Sequence, residues 1–154
     1  MPHVAPTVRV QHEDFSIEEE IRLLTGGRFD VGAVVTFSGL CRNEGGELAM
    51  LELEFYPGMA EAEITRIALE AASRWPVTGL TAIHRAGIIK PGENIVLVIA
   101  ASPHRQAAFE AASFLMDFLK TDAPFWKKEH RTDGRADEWV SAKEADGAAK
   151  ARWK

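Results

Sequence analysis

Ile95 to Ala101 reads Ile-Val-Leu-Val-Ile-Ala-Ala, an apolar run with no polar interruption. A strand with one wet face alternates apolar and polar residues; one that does not alternate must be covered on both faces. The run therefore predicts a central strand. Ser102-Pro103 follows it and predicts a helix start, with Ser102 at the N-cap and Pro103 at the first helical position. That helix is expected to reach about Thr121, burying Ala108, Ala111, Ala112, Leu115 and Leu119.

Two more helices carry clear signals. Ser16-Ile17-Glu18-Glu19 is a capping box opening a helix to about Leu24, stopped by Gly26-Gly27. Met59 to Arg74 puts Ile64, Ile67, Ala68 and Ala71 on one stripe, with Pro76 as the stop. Strands are expected at Val8–Gln11, Gly32–Cys41, Glu47–Phe55, Leu80–Ala86 and Glu138–Ser141. Leu51-Glu52-Leu53-Glu54-Phe55 alternates cleanly, so one of its faces is buried. Asn43 to Gly46 reads as the turn of a hairpin joining Gly32–Cys41 to Glu47–Phe55, and Lys90 to Glu93 as a second turn. The order β-α-β-β-α-β-β-α-β predicts an α+β fold, a mixed or antiparallel sheet with helices packed on it. Residues 1–154 read as a single domain with a loose tail at 1–7 and a charged, Ala-rich tail at 143–154.

Composition narrows the function. The formal net charge is −5, which lacks the general basic face of a nucleic-acid binder. No apolar run approaches membrane-spanning length, and the first ten residues lack a signal-type segment. Cys41 is the single cysteine, so a disulfide framework is excluded and a reducing, cytoplasmic setting is expected. The five histidines form no i, i+4 pair and have no cysteine partner, so no metal site is expected. Gly-rich nucleotide loops and a Gly-x-Ser-x-Gly elbow are both missing.

Chemistry-bearing residues gather in three places. Lys120 and Lys127 flank Thr121-Asp122-Ala123-Pro124-Phe125-Trp126. A lysine beside apolar rings loses hydration, which moves it toward acid–base use, and a pair of ammonium groups attracts anions. The ordinary alternative is a helix-end lysine favoured by the dipole, with Trp126 in the core. His104-Arg105 opens the third helix, where free N–H groups and the dipole already favour an anion. Arg42 ends a strand beside Cys41, which is expected to be a packed thiol. Of the remaining His-Arg pairs, His84-Arg85 is expected to pair with Glu52 or Glu54, and His130-Arg131 to lie in a solvated loop.

Taken together, these segments resemble the large, catalytic subunit family of molybdopterin synthase. The matching stretches are Gly32 to Asn43, Leu53 to Ala60, His84 to Gly87, Ser102 to Arg105, Met116 to Lys120, Ala123 to Glu129 and Trp139-Val140. The tip at Glu44 to Leu48 looks shorter than is familiar, and Cys41 replaces a usually aliphatic residue. The resemblance implies an α/β hammerhead-type fold and a homodimer. It also implies a heterotetramer with two copies of a small ubiquitin-like sulfur carrier ending in a Gly-Gly thiocarboxylate. Sulfur would pass to cyclic pyranopterin monophosphate, in two transfers, to make the dithiolene of molybdopterin. By motif, Lys120 and Lys127 match the catalytic lysines, and Arg42, His104 and Arg105 match the substrate-anion pocket. Phe37 and Met116 match residues near the carrier tail, and Pro124 and Phe125 supply further apolar wall. No cofactor is implied. The competing reading is a non-catalytic module holding an extended Gly-Gly tail by strand addition.

Overall fold

The computed structural model describes residues 4–43, 48–121, 124–132, 138–140, 151 and 153. In chain order the elements are β1 (Thr7–Gln11), α1 (Ile17–Thr25), β2 (Ala33–Leu40), β3 (Leu48–Phe55), α2 (Met59–Arg74), β4 (Gly79–Arg85), β5 (Gly87–Ile89), β6 (Asn94–Ser102), α3 (Arg105–Thr121), β7 (Phe125–Arg131) and β8 (Glu138–Val140). The α+β class is as expected, but the strands form two sheets rather than one. The first runs β1-β4-β6-β2 and the second β5-β3-β7-β8.

The first sheet is built around β6. Leu97 to Ala101 are fully buried between two helical layers. On one face Val96, Val98 and Ala100 meet α2 and α3 through Ile64, Ile67, Ala111, Phe114 and Leu115. On the other, Leu97 and Ile99 meet Phe15, Ile17, Ile21 and Leu24 around α1. The apolar run thus lacks alternation because each face has its own cover. α1 starts as its capping box predicts, with Ser16 Oγ accepting from Glu19 N–H at 3.2 Å.

The expected hairpin does not form. β2 pairs with β6, while β3 pairs with β5 and β7. The register of β2 shifts between Gly39 and Leu40, and Cys41 is then tied to the 90–93 turn: its N–H donates to Glu93 O at 2.8 Å, and Gly92 N–H donates to Cys41 O at 2.7 Å. These bonds steer the chain out of the first sheet before β3 begins. Residues 44–47, which carry most of the expected turn and of the shortened tip, lie outside the described residues. The same crossing recurs between β4 and β5, where Gly87 takes φ +83°, a conformation glycine adopts at little cost.

The ends differ from the expected tails. Strand β1 already includes Thr7, and Val4 packs on the helical core. Most of the 143–154 segment lies outside the described residues, but Trp153 is docked: its ring meets Trp75 at 5.5 Å and Phe114 at 5.7 Å, and Arg74 donates to its carbonyl at 2.7 Å.

Candidate active site

Helix α3 carries the first lysine. Ala107, Ala108, Ala111, Ala112, Phe114, Leu115, Met116 and Leu119 form its buried side, and Lys120 is the first exposed residue after that stripe. Its charge sits in the last turn, where the helix dipole favours a cation. Lys120 acts electrostatically on His84 of β4, and the His84 ring stacks on Phe125 with centroids 3.8 Å apart and planes at 14°.

The second lysine follows from strand alternation. Lys127 pairs with Leu53 and Phe125 with Phe55, so both share the inner face of the second sheet with buried Leu51 and Leu53. Lys127 is partly buried, and its charge reaches Cys41. Burial pushes the Cys41 thiol up from its ordinary range; Lys127 opposes this, while Glu93 and Glu129 add to it. Cys41 is thus held as a neutral packed thiol, as its lack of a partner base implies. Phe125 links the two lysines: it stacks on His84, on which Lys120 acts, and it lies two residues before Lys127 on the same face of β7. The expected loss of hydration is supplied by burial only in part: Lys127 is half-covered and Lys120 is open to water.

The expected carrier-tail residues border the same corner. Phe37 lies on β2, an edge strand, two residues beyond Val35 and on the same face, and is 40% exposed. Met116 is buried in the cluster beneath it. Pro124 and Phe125 are partly buried.

The anion residues divide. Arg42 is exposed just past the end of β2, next to Cys41 and hence at the lysine end. His104 and Arg105 are exposed at the start of α3. β2 starts opposite Ser102 and ends opposite Asn94, so the two groups lie at opposite ends of the same layer. From Arg105 to Lys120 along α3 is about 22 Å at about 1.5 Å per residue. One chain therefore does not bring Arg42, His104 and Arg105 together. Ser102 is also not the N-cap: it ends β6, its Oγ donates to Pro76 O at 2.9 Å and accepts from His104 N–H at 3.3 Å, and the helix starts at Arg105.

Three local expectations are corrected. His84-Arg85 does not pair with Glu52 or Glu54; Arg85 is buried and donates to the carbonyls of His12 and Asn94 at 2.9–3.1 Å. His130-Arg131 is strand rather than solvated loop, and His130 Nε2 lies 3.0 Å from Glu52 Oε1. Trp126 is not core: it is 43% exposed on the outer face of the second sheet, edge-on to Tyr56 at 5.2 Å. The residue missed at the corner is His84. Its signal was present, a histidine at the end of a strand in an otherwise apolar register. Among the described residues no group of three or more His, Cys, Asp or Glu is placed to hold a metal, and no helix is long and apolar enough to cross a membrane.

A family model described as MoaE protein matches residues 10–122. The chain belongs to the MoaE family. It is 70% identical over 98% of its length, and 95% of the relative's, to the molybdopterin synthase catalytic subunit of Mesorhizobium japonicum. Among solved structures it is similar to the molybdopterin biosynthesis MoaE protein of Burkholderia ambifaria, with TM-score 0.83, 42% identity and coverage of 96% of this chain and 97% of that one. A complex of subunits 1 and 2 of the molybdopterin-converting factor from Helicobacter pylori shares the MoaE fold at TM-score 0.71 and 19% identity, covering 89% and 90% of the two chains. The α+β class, the two-sheet topology and the lysine-bearing corner thus belong to a member of a sulfurtransferase family of molybdenum cofactor biosynthesis.

Proposed function

We propose that this chain is the catalytic subunit that moves sulfur from the C-terminal thiocarboxylate of a small ubiquitin-like carrier to cyclic pyranopterin monophosphate, in the cytoplasm. The observation that carries this reading is that Lys120 acts on His84, which stacks on Phe125, and Phe125 shares a strand face with Lys127, in a fold where β2 is an edge strand. An extended Gly-Gly tail has no side chains to obstruct it and suits a slot walled by Phe37, Met116, Pro124 and Phe125. Its terminal thiocarboxylate is an anion, and Lys120 is the cation at the exposed end of that slot. Seating the tail would cover Lys120, supplying the desolvation that the free chain lacks. Lys127, already half-covered, serves as proton donor or anion clamp during attack at the pterin side-chain carbon.

The phosphate side of the site calls for a second copy. Arg42 stands at the lysine end and His104 with Arg105 at the far end of α3. A homodimer in which the start of one α3 meets the corner of its partner would complete one cationic pocket. The helix supports this role, since no acidic residue occupies its first turn and its free N–H groups already favour an anion.

The test is single-turnover sulfur transfer with a thiocarboxylated carrier. Wild-type chain should convert the pterin, and Lys120→Ala should bind carrier yet lose transfer. Binding without turnover by the wild-type chain would favour the non-catalytic module instead.

A further inference from the structure

His84 belongs to the lysine corner but has no part in the reaction as proposed. Two contacts fix its ring. The face is stacked on Phe125, and Nδ1 lies 2.8 Å from Arg85 O. A carbonyl oxygen only accepts, so Nδ1 carries the hydrogen, and in the neutral ring Nε2 is left as an acceptor. Burial keeps the ring neutral, lowering its pKa to about 4; the Arg85 bond opposes this and the Lys120 charge adds to it. Nε2 has no hydrogen-bond partner among the described residues, although the ring is only partly buried.

Lys120 has the opposite problem. It is an exposed ammonium on a four-carbon stem with three donors and no ion pair among the described residues. A group that flexible is a poor acid–base catalyst until something aims it, because about 1 Å of misplacement already slows attack. The rigid imidazole, its Nε2 without a partner among the described residues, lies within the electrostatic influence of Lys120. Stacking on Phe125 could be met by any aromatic ring, so packing alone does not call for imidazole here.

We propose that His84 is a positioning residue, whose Nε2 accepts a hydrogen bond from the Lys120 ammonium when the corner is closed by a bound carrier tail. The inference rests on the proposed role of Lys120. It makes His84 the part that converts a free helix-end lysine into one of fixed direction.

Two variants and one spectrum test it in the full chain with its carrier bound. His84→Phe keeps the stack and removes both the Nε2 acceptor and the Nδ1–H bond to Arg85 O. It should lower Tm modestly through the lost Arg85 bond, leave carrier affinity near wild type, lower kcat about tenfold and change the pterin KM little. His84→Gln should recover much of kcat. In the ¹⁵N spectrum of histidine-labelled chain, the His84 Nε2 resonance should move when Lys120 becomes Met. A wild-type kcat in His84→Phe, or an Nε2 resonance indifferent to Lys120→Met, would overturn the proposal. An active Lys120→Ala would instead overturn the role of Lys120 itself, which separates the two failures; the spectrum stands even if His84→Phe does not fold.

Discussion

The two ends of α3 carry cations under opposite electrostatic conditions. At the C-terminal end Lys120 is favoured by the dipole and has a stacked, neutral His84 and the inner face of a second sheet beside it. At the N-terminal end His104 and Arg105 add positive charge where the dipole is already positive, with no acidic residue in the first turn. The first end is built by packing within one chain. The second gathers positive charge in the open, and under the proposed function an anionic ligand would relieve it. The helix between them is a rigid spacer: its Ala-rich stripe lies flat on β6 and β2, so neither end can shift toward the other.

The largest expected effect falls at the packed end. Lys120→Ala should cut turnover by about a hundredfold or more, as loss of a positioned acid–base group does, with folding intact. Its check is single-turnover transfer alongside a melting curve. Lengthening the carrier by one C-terminal residue should be nearly as severe, since it displaces the reactive carbonyl by about 3.5 Å. Docking through the carrier's globular surface should persist, and comparing binding with transfer reads the difference. Normal transfer by the longer carrier would mean that the slot is open-ended.

The spacer itself can be weakened. Leu115→Ala removes a fully buried side chain between α3 and β6 and should cost about 2–5 kcal/mol in denaturant unfolding. At the N-terminal end, Arg105→Ala should weaken pterin binding by about tenfold, the scale of one charge-assisted contact, and leave carrier binding unchanged. Equal loss for both ligands would dissolve the distinction between the ends.

The last effect concerns acid. His84 has a folded pKa of about 4, below its ordinary 6.5. Between those values the unfolded chain takes up a proton that the folded chain refuses. Stability is therefore full above about pH 6.5 and falls toward pH 4, by on the order of 1–3 kcal/mol from this ring. Unfolding curves at several pH values should show His84→Phe flattening that slope.

How much of this was legible depends on how local each signal is. β6, α2 and α3 announce themselves because each buries a continuous run or stripe, and all three appear within two residues of their expected bounds. β5 was not readable, being three residues long and separated from β4 by Ala86 alone. β7 was hidden for a different reason. Lys127, Lys128, Glu129, His130 and Arg131 show no alternation, because one face meets Cys41 and its neighbouring charges while the other carries the His130–Glu52 contact. The failed hairpin is a topological matter: the bonds between Cys41 and the 90–93 turn, remote in sequence, turn the chain into another sheet. For the site, the lysine pair could be seen because a short segment joins both residues. The separation of Arg42 from His104 and Arg105 could not, since it follows from the antiparallel register of β2 on β6.

The central claim is that the two ends of α3 serve one site only when contributed by different copies. Mixing two impaired variants, assayed with pterin well below saturation so that the binding defect of Arg105→Ala is felt, tests it most directly. Lys120→Ala and Arg105→Ala chains are unfolded together, refolded and assayed with carrier. If each site takes its lysine from one copy and its arginine from the other, every mixed dimer holds one intact site. Random mixing should then restore about a quarter of wild-type activity. If both residues serve from the same chain, every site in the mixture carries one defect. Activity no higher than that of the separate variants, in a mixture shown to contain hybrid dimers, would contradict the account.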